Sequence, residues 1–240
     1  MSKILKTHFI KFAFRTSLFI AAAVLYIISK ATGTGNYFLG LENNIIIKGI
    51  IWVIFAYEVI IRFFPSKKIS PGCQKYLKKN FVPADGYNGE KPKIVSPVRT
   101  FISAFLWILL NACIFTLYFM GIIDKGVLIL VFLAYSICDL ICILFFCPFR
   151  LFILKNKCCT TCRIYNWDYA MMFTPFLLIF DWFTTSLLIL SLILLIRWEV
   201  ALRLHPERFS QKTNKNISCA NCNEKLCVYY KNLKKTLKNK

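Results

Sequence analysis

Long apolar segments separated by polar connections dominate this chain of 240 residues. A helix needs about 20 consecutive apolar residues to cross the hydrocarbon core of a bilayer. Within lipid, each spanning segment must also pair its own backbone polar groups, which a helix does. We therefore predict five membrane-spanning helices, over residues 12–30, 45–64, 101–122, 127–147 and 175–197.

The composition favours a membrane protein over a soluble one. Hydrophobic residues make up 58% of the chain, whereas soluble domains contain about 45–50%. We predict an all-α integral membrane protein of the cell membrane. Residues 1–204 would form a polytopic bundle of about five transmembrane helices with a Cys-rich inner loop. Residues 205–240 would form a basic tail that also contains cysteines.

Positive charge predicts which ends of the spans face the cytoplasm. The formal net charge is +20, and excess Lys and Arg marks cytoplasmic connections. The lipid bilayer and its anionic headgroups are therefore the expected partners. No nucleic acid is expected, because no motif that reads DNA or RNA accompanies the charge. The basic connections are the N-terminus, the loop that follows the second span and the loop that follows the fourth.

The fifth apolar segment leaves the side of the tail open. Thr174 and Pro175 suit a helix start, with Thr as the cap and Pro at the first helical position. A single crossing from there would place the tail on the face opposite residues 158–162. The basic charge of the tail argues for the same face, and a re-entrant hairpin turning near Asp181 would reconcile the two. We favour the single span, because irregular backbone in lipid needs shelter.

Ionisable residues inside the spans are costly and usually paired. Glu58 and Arg62 are four residues apart, a spacing that predicts an internal ion pair with a structural role. Two further polar stripes predict interhelical hydrogen bonds, with an ion or proton path as the alternative. These stripes are Ser136, Asp139 and Cys142 in the fourth span, and Thr174, Asp181 and Thr185 in the fifth.

Seven of the eleven cysteines form two compact sets that border the fifth span. Closely spaced thiolates bind soft metals, and C-x-x-C allows two sulfurs to reach one ion. The inner set lies in a basic loop whose charge should lower the thiol pKa values. The inner set is Cys147, Cys158, Cys159 and Cys162, and the tail set is Cys219, Cys222 and Cys227.

Several ligand combinations fit these spacings. Either Cys147 or Cys73 would supply the fourth thiolate beside Cys158, Cys159 and Cys162, and His205 would supply the fourth ligand of the tail set. A ribbon-like site would instead join Cys159-x2-Cys162 with Cys219-x2-Cys222, which requires both pairs on one side of the membrane. The expected cofactor is a zinc ion, with an iron–sulfur cluster as the alternative. Cys113, Cys138 and Cys142 lie within the spans, where cysteine usually acts as a small hydrophobe.

Three functions are compatible with these features. The leading one is a membrane protein with a thiolate metal site at the membrane surface, either structural or electron-transferring. The second is a membrane thiol–disulfide oxidoreductase, which needs an accessible thiolate of low pKa. The third is a scaffold or small transporter without thiol chemistry, in which Asp139 and Asp181 line a path.

Overall fold

The computed structural model of the protein describes residues 3–33, 44–66, 69–92, 97–156, 158–218 and 220–221. Five long helices dominate these ranges: α1 (Lys3–Ala31), α2 (Ile45–Ile60), α3 (Pro97–Phe119), α4 (Lys125–Leu144) and α5 (Trp182–Leu204). Short helical turns occupy Ile61–Phe63, Pro71–Gln74, Lys78–Asn80, Phe149–Ile153, Tyr165–Trp167, Asp168–Met172, Thr174–Leu178, Pro206–Phe209 and Lys215–Ile217.

The all-helical class predicted from the sequence is confirmed for the described ranges. Three helices, α1, α3 and α4, are long and apolar enough to cross a membrane, which indicates a membrane protein. Helix α2 has only 16 residues, and α5 carries Arg197, Glu199 and Arg203 toward its C-terminal end. The count of five spans therefore stays a prediction.

Polar caps define where the helices begin. The Asn44 side chain accepts hydrogen bonds from the backbone N–H groups of Ile46 and Ile47 at the start of α2. The Asp124 side chain likewise accepts a hydrogen bond from the backbone N–H of Val127 at the start of α4. Such caps satisfy N–H groups that have no partner within the helix. Gly121 supplies the left-handed backbone, with φ of 73°, that turns the chain between α3 and α4.

Helices α1 and α4 pack antiparallel. Leu5 lies against Leu144 at one end of the pair, and the Tyr26 hydroxyl donates to Asp124 at the other, 3.2 Å away. Gly126 permits this close approach, because a Cβ atom there would lie 2.7 Å from the Tyr26 ring. We call the end that carries Leu5 the basic end. It also carries residues 61–66, 69–92, 147–156, 158–165 and 205–218.

Residues 165–181 run through the bundle beside α2. At the basic end, Arg62 pairs with Asp168, with 2.6 Å between Nη2 and Oδ2. Farther along, the Phe173 ring packs against Phe55 with 6.0 Å between centroids. At the opposite end, Lys48 pairs with Asp181. This segment thus crosses the bundle as a chain of short helical turns.

Helix α5 then runs back to the basic end, parallel to α2. The Trp52 indole donates to the Ser186 hydroxyl near the start of α5. The Trp198 indole donates to the Arg163 carbonyl oxygen near its end. Aromatic rings fill the centre between these elements, and Phe132 lies 4.5 Å from Phe176 between ring centroids.

The predicted helix start at Thr174 and Pro175 is therefore wrong. These residues belong to the short turn Thr174–Leu178, and α5 begins only at Trp182. Asp181 interrupts the helix because its backbone is extended, with φ of −138° and ψ of 153°. Its carboxylate caps α5, while the Thr184 hydroxyl accepts from the Asp181 N–H. The chain reversal near Asp181 corresponds to the re-entrant alternative.

The prediction that the tail lies opposite residues 158–162 is also wrong for its described part. The Arg208 guanidinium donates to the Tyr76 carbonyl oxygen, 3.0 Å away, and Pro83 forms an isolated β-bridge with Asn214. Lys75, one residue before Tyr76, donates to the Thr160 carbonyl oxygen. The tail up to Ser218 thus lies at the basic end because α5 returns there.

Candidate functional site

A cavity of ≈ 140 Å³ at the basic end is lined by five cysteines. We call it the thiol cavity. Residues of α4, of the loop that follows it and of the turn Asp168–Met172 line it, together with Trp107 of α3. Arg150, Asp139 and Asp168 are its charged lining residues. The cysteines are Cys138, Cys142, Cys147, Cys159 and Cys162.

Arg150 links two of these thiols. Its guanidinium Nη1 donates to Cys159 Sγ at 2.6 Å, and its backbone N–H donates to Cys147 Sγ at 3.4 Å. A cation and donated hydrogen bonds stabilise a thiolate relative to a thiol. The arrangement therefore favours the reactive form of Cys159 and Cys147.

Cys162 has a contrasting environment. Its side chain is only 7% exposed, and burial raises the pKa of its thiol. A tight turn connects it to Cys159, because the Cys162 N–H donates to the Cys159 carbonyl oxygen at 2.9 Å. The C-x-x-C pair therefore combines one thiol beside a cation with one buried thiol.

The buried side chain of Lys75 contacts the backbone of the turn between Cys159 and Cys162. Its ammonium donates to the carbonyl oxygens of Thr160 and Cys162, at 2.9 and 2.8 Å. It also lies 5.0 Å from the centre of the Trp198 ring and 5.5 Å from that of Phe209. Burial lowers the pKa of Lys75 to about 7. The carbonyl oxygens and ring faces replace the water that a buried ammonium loses.

The structure brings the predicted inner metal ligands only partly together. Cys147, Cys159 and Cys162 line the thiol cavity, whereas the Cys158 thiol pairs with the Thr160 hydroxyl, 2.9 Å away. Among the residues that the structure describes, no three His, Cys, Asp or Glu side chains are grouped so that they could hold a metal ion. Zinc or iron–sulfur binding stays a prediction. The tail ligands Cys219, Cys222 and Cys227 lie outside the described residues.

The additional ligands suggested by the sequence lie elsewhere. Cys73 is buried, and its thiol donates to the Ser70 carbonyl oxygen at 3.1 Å. His205 pairs with Glu207, with 3.0 Å between Nδ1 and Oε1. No disulfide joins the eight cysteines of the described ranges.

A buried ionic network lies beside the cavity. Glu58 receives the Arg15 guanidinium at 2.5 Å and the Lys11 ammonium at 3.0 Å. Arg15 also lies 3.6 Å from Asp139 Oδ2 and donates to the Ser136 carbonyl oxygen. The network thus joins α1, α2 and α4. Of the predicted stripe of Ser136, Asp139 and Cys142, the Asp139 side chain lies near α1, whereas the Ser136 hydroxyl donates to the Leu133 carbonyl oxygen within α4.

The predicted pair between Glu58 and Arg62 is wrong. Helix α2 ends at Ile60, so Arg62 lies in the following turn and loses the one-turn spacing from Glu58. Arg62 instead binds Asp168 through both of its Nη atoms. Glu58 faces α1 and accepts a hydrogen bond from the Tyr169 hydroxyl at 2.8 Å.

Asp139 and Asp181 do not meet. Asp139 lies between Arg15 and the thiol cavity, whereas Asp181 caps α5 and pairs with Lys48 at the opposite end. The helix break at residues 179–181 also separates Thr174 from the other two members of its predicted stripe. The structure thus offers no path lined by both aspartates among its described residues.

Three residues that line the cavity, Arg150, Cys138 and Cys142, were not predicted from the sequence as members of a thiol site. Arg150 lies three residues after Cys147 in the sequence. Cys138 and Cys142 were expected only to pack, or in the case of Cys142 to contribute to a polar stripe, within the fourth span. Arg163, another cation of the same loop, pairs with Glu199 and does not line the cavity. Only the short spacing between Cys147 and Arg150 could have signalled this from the sequence.

Comparisons with protein-family models, curated proteins and solved structures found no match to this chain. Its function has to be inferred from the chemistry of the site.

Proposed function

We propose that the protein is a membrane thiol–disulfide oxidoreductase whose reactive pair is Cys159 and Cys162. The contact between the Arg150 guanidinium and Cys159 Sγ, at 2.6 Å, carries this proposal. The attacking group in thiol–disulfide exchange is a thiolate, and a neighbouring cation increases its population. Cys159 is half-buried at the edge of a cavity, where a second sulfur can approach it.

The proposed reaction exchanges two thiols for one disulfide. The Cys159 thiolate attacks a substrate disulfide, forms a mixed disulfide and releases the first substrate thiolate. Cys162 then loses its proton and attacks Cys159 Sγ, which releases the second substrate thiolate. The protein is oxidised to a Cys159–Cys162 disulfide, and the substrate is reduced to two thiols. A partner dithiol restores the protein by the same steps in reverse.

The two environments suit these roles. Arg150 favours the thiolate of Cys159, the residue that attacks first. Burial keeps Cys162 protonated until the mixed disulfide forms. Lys75 fixes the carbonyl oxygens of Thr160 and Cys162, so the turn between the two sulfurs retains its shape.

Differential alkylation of the purified protein tests the proposal. Mass spectrometry should find Cys159 and Cys162 protected in oxidised samples and alkylated after reduction. Cys162→Ser should trap a mixed disulfide on Cys159, whereas Cys159→Ser should prevent one. Cys113→Ser is the matched control, because Cys113 is exposed and does not line the cavity. Equal alkylation of Cys159 and Cys162 in both samples would contradict the proposal.

A thiolate-bound zinc ion is the second candidate, with an iron–sulfur cluster as the alternative group. It is favoured by the packing of residues 205–218 at the basic end, where Cys159 and Cys162 also lie. A ribbon-like site would take its other two thiolates from Cys219 and Cys222, which follow residues 205–218 in the sequence. Cys147, Cys158 and Cys227 are the remaining predicted ligands.

Elemental analysis distinguishes the two candidates. One zinc ion per chain, lost in both Cys159→Ser and Cys222→Ser, would establish shared ligation by the loop and the tail. Cys113→Ser should keep its metal. Folded protein without zinc or iron would rule out the metal site and leave the exchange reaction as the function to test.

We further propose the cell membrane as the location, with the basic end on the cytoplasmic side.

A further inference from the structure

A second cavity lies between the start of α3 and the end of α5. Its volume of ≈ 690 Å³ is in the range of ligand sites in proteins. We call it the α3–α5 groove. It lies at the basic end, and its wall combines cations with apolar side chains.

Arg203 supplies an uncompensated positive charge to the groove. The other arginine of the lining, Arg163, is neutralised by its ion pair with Glu199. Glu199 also accepts a hydrogen bond from the Trp167 indole. Arg203 makes no ion pair or hydrogen bond with any residue in the described part of the chain. The free charge in the groove is therefore positive.

Thr100 is a second sign of a missing ligand. It is only 8% exposed, and its hydroxyl Oγ1 is buried with no hydrogen-bond partner among the described residues. Leaving a buried hydroxyl unpaired costs about 1–3 kcal/mol. Thr100 lies in the first turn of α3, which begins at Pro97 in the same wall. The first N–H groups of a helix are also unpaired and attract anions.

An apolar surface adjoins Arg203 and Thr100, which we call the polar corner of the groove. Phe101, Ala104, Leu195 and Leu202 line the rest of the groove. The Phe101 ring is 70% exposed and stacks on that of Phe105, which is 53% exposed. Farther from the polar corner, the surface of α3 stays apolar. A soluble anion would leave this surface unused, whereas a hydrocarbon chain would cover it.

We infer that the α3–α5 groove binds an anionic phospholipid. The lipid phosphate contacts Arg203, the Thr100 hydroxyl and the N-terminal end of α3. Its acyl chains lie along Phe101, Ala104 and Leu195. The inference is independent of the thiol chemistry, because none of these residues lines the thiol cavity.

Native mass spectrometry of the full chain in mild detergent tests this site. Phosphatidylglycerol should bind at least tenfold more tightly than phosphatidylcholine with the same acyl chains. Arg203→Gln and Thr100→Val should each weaken phosphatidylglycerol binding, by about tenfold and threefold, because each removes one contact to the phosphate. Thr100→Val should melt no lower than the wild type without added lipid, since the buried hydroxyl has no partner to lose.

Arg99→Gln is the matched control. It removes the same charge one residue from Thr100, but Arg99 does not line the groove. Binding in this variant should stay within twofold of the wild type. Equal weakening by Arg99→Gln and Arg203→Gln would overturn the proposal in favour of general charge attraction. Equal binding of phosphatidylcholine would also overturn it, as would glycerol 3-phosphate binding as tightly as the lipid.

Discussion

Lys75 is a buried cation without a carboxylate partner in the described ranges. Two backbone carbonyl oxygens and two aromatic rings surround its ammonium. These groups belong to the 158–162 turn, to α5 and to the tail, so one side chain joins three separate parts of the chain. Lys75 thereby couples the position of Cys162 to the packing of the tail.

We predict that Lys75→Met destabilises the fold by about 1–3 kcal/mol, because two buried carbonyl oxygens lose their donor. The apolar stem is retained, so the change isolates the ammonium. Unfolding of the purified protein in denaturant should show the loss, and Cys162 should alkylate faster. Lys79→Met is the control, because Lys79 is exposed. Unchanged alkylation of Cys162 would mean that Lys75 does not hold the turn.

The same residue gives the stability a pH dependence. Burial lowers the pKa of Lys75 from 10.5 to about 7 in the folded protein. Above about pH 7 the unfolded chain therefore retains a proton that the folded protein releases, so folded stability rises with pH. The destabilisation caused by Lys75→Met should grow between pH 7 and pH 9, by up to about 1 kcal/mol per pH unit. A penalty that shrinks with pH would contradict this linkage.

At the scale of elements, the break at Asp181 decides the path of the last third of the chain. The Asp181 carboxylate caps α5, and the Thr184 hydroxyl accepts a hydrogen bond from the Asp181 N–H. The same carboxylate pairs with Lys48 at the start of α2. The reversal therefore has both a local cause and a tertiary anchor.

We predict that Asp181→Ala destabilises the protein by about 1–2 kcal/mol, because α5 loses its cap and Lys48 loses its partner. Thermal unfolding in detergent should report the loss. Asp85→Ala is the matched control: Asp85 is 91% exposed and its ion pair with Lys215 spans 3.3 Å at the surface, so the Tm of this variant should barely change. Equal shifts in the two variants would show that the cap contributes nothing specific.

Apolar run length predicted the first four helices, with boundary errors that have physical causes. Helix α1 begins at Lys3, N-terminal to its predicted start at residue 12, because Leu5 packs against Leu144 and Lys11 pairs with Glu58. The traverse of residues 165–181 was not foreseen, because its backbone is sheltered by contacts with α2 and α4 that a local pattern does not record.

The thiol cavity was predictable only in part. The C-x-x-C pair and Cys147 stand out by spacing, whereas Cys138 and Cys142 join them because α4 runs toward the same loop. Arg150 donates a hydrogen bond to Cys159, which lies nine residues later in the sequence. Such contacts depend on how the loop folds back on itself, which residue spacing does not specify.

At the scale of the whole molecule, the structure places the described tail and the 61–92 loop on one end. Trypsin added to sealed vesicles of one orientation should therefore cleave after both Lys79 and Lys212, which are followed by Asn80 and Thr213. Vesicles of the opposite orientation should protect both sites, while Lys30, at the other end, becomes the accessible residue. Cleavage after Lys79 and Lys212 from different sides would contradict the return of α5.

The broken traverse also constrains biogenesis. A segment of short turns cannot enter lipid alone, because its unpaired backbone groups would face hydrocarbon. Residues 165–181 therefore require α2 and α4 to be in place, since Phe55 and Phe132 shelter them. Helix α5 begins at the far end of that segment, so the segment and α5 have to pack against the other helices as one looped unit. Assembly of this looped unit is thus templated by α2 and α4.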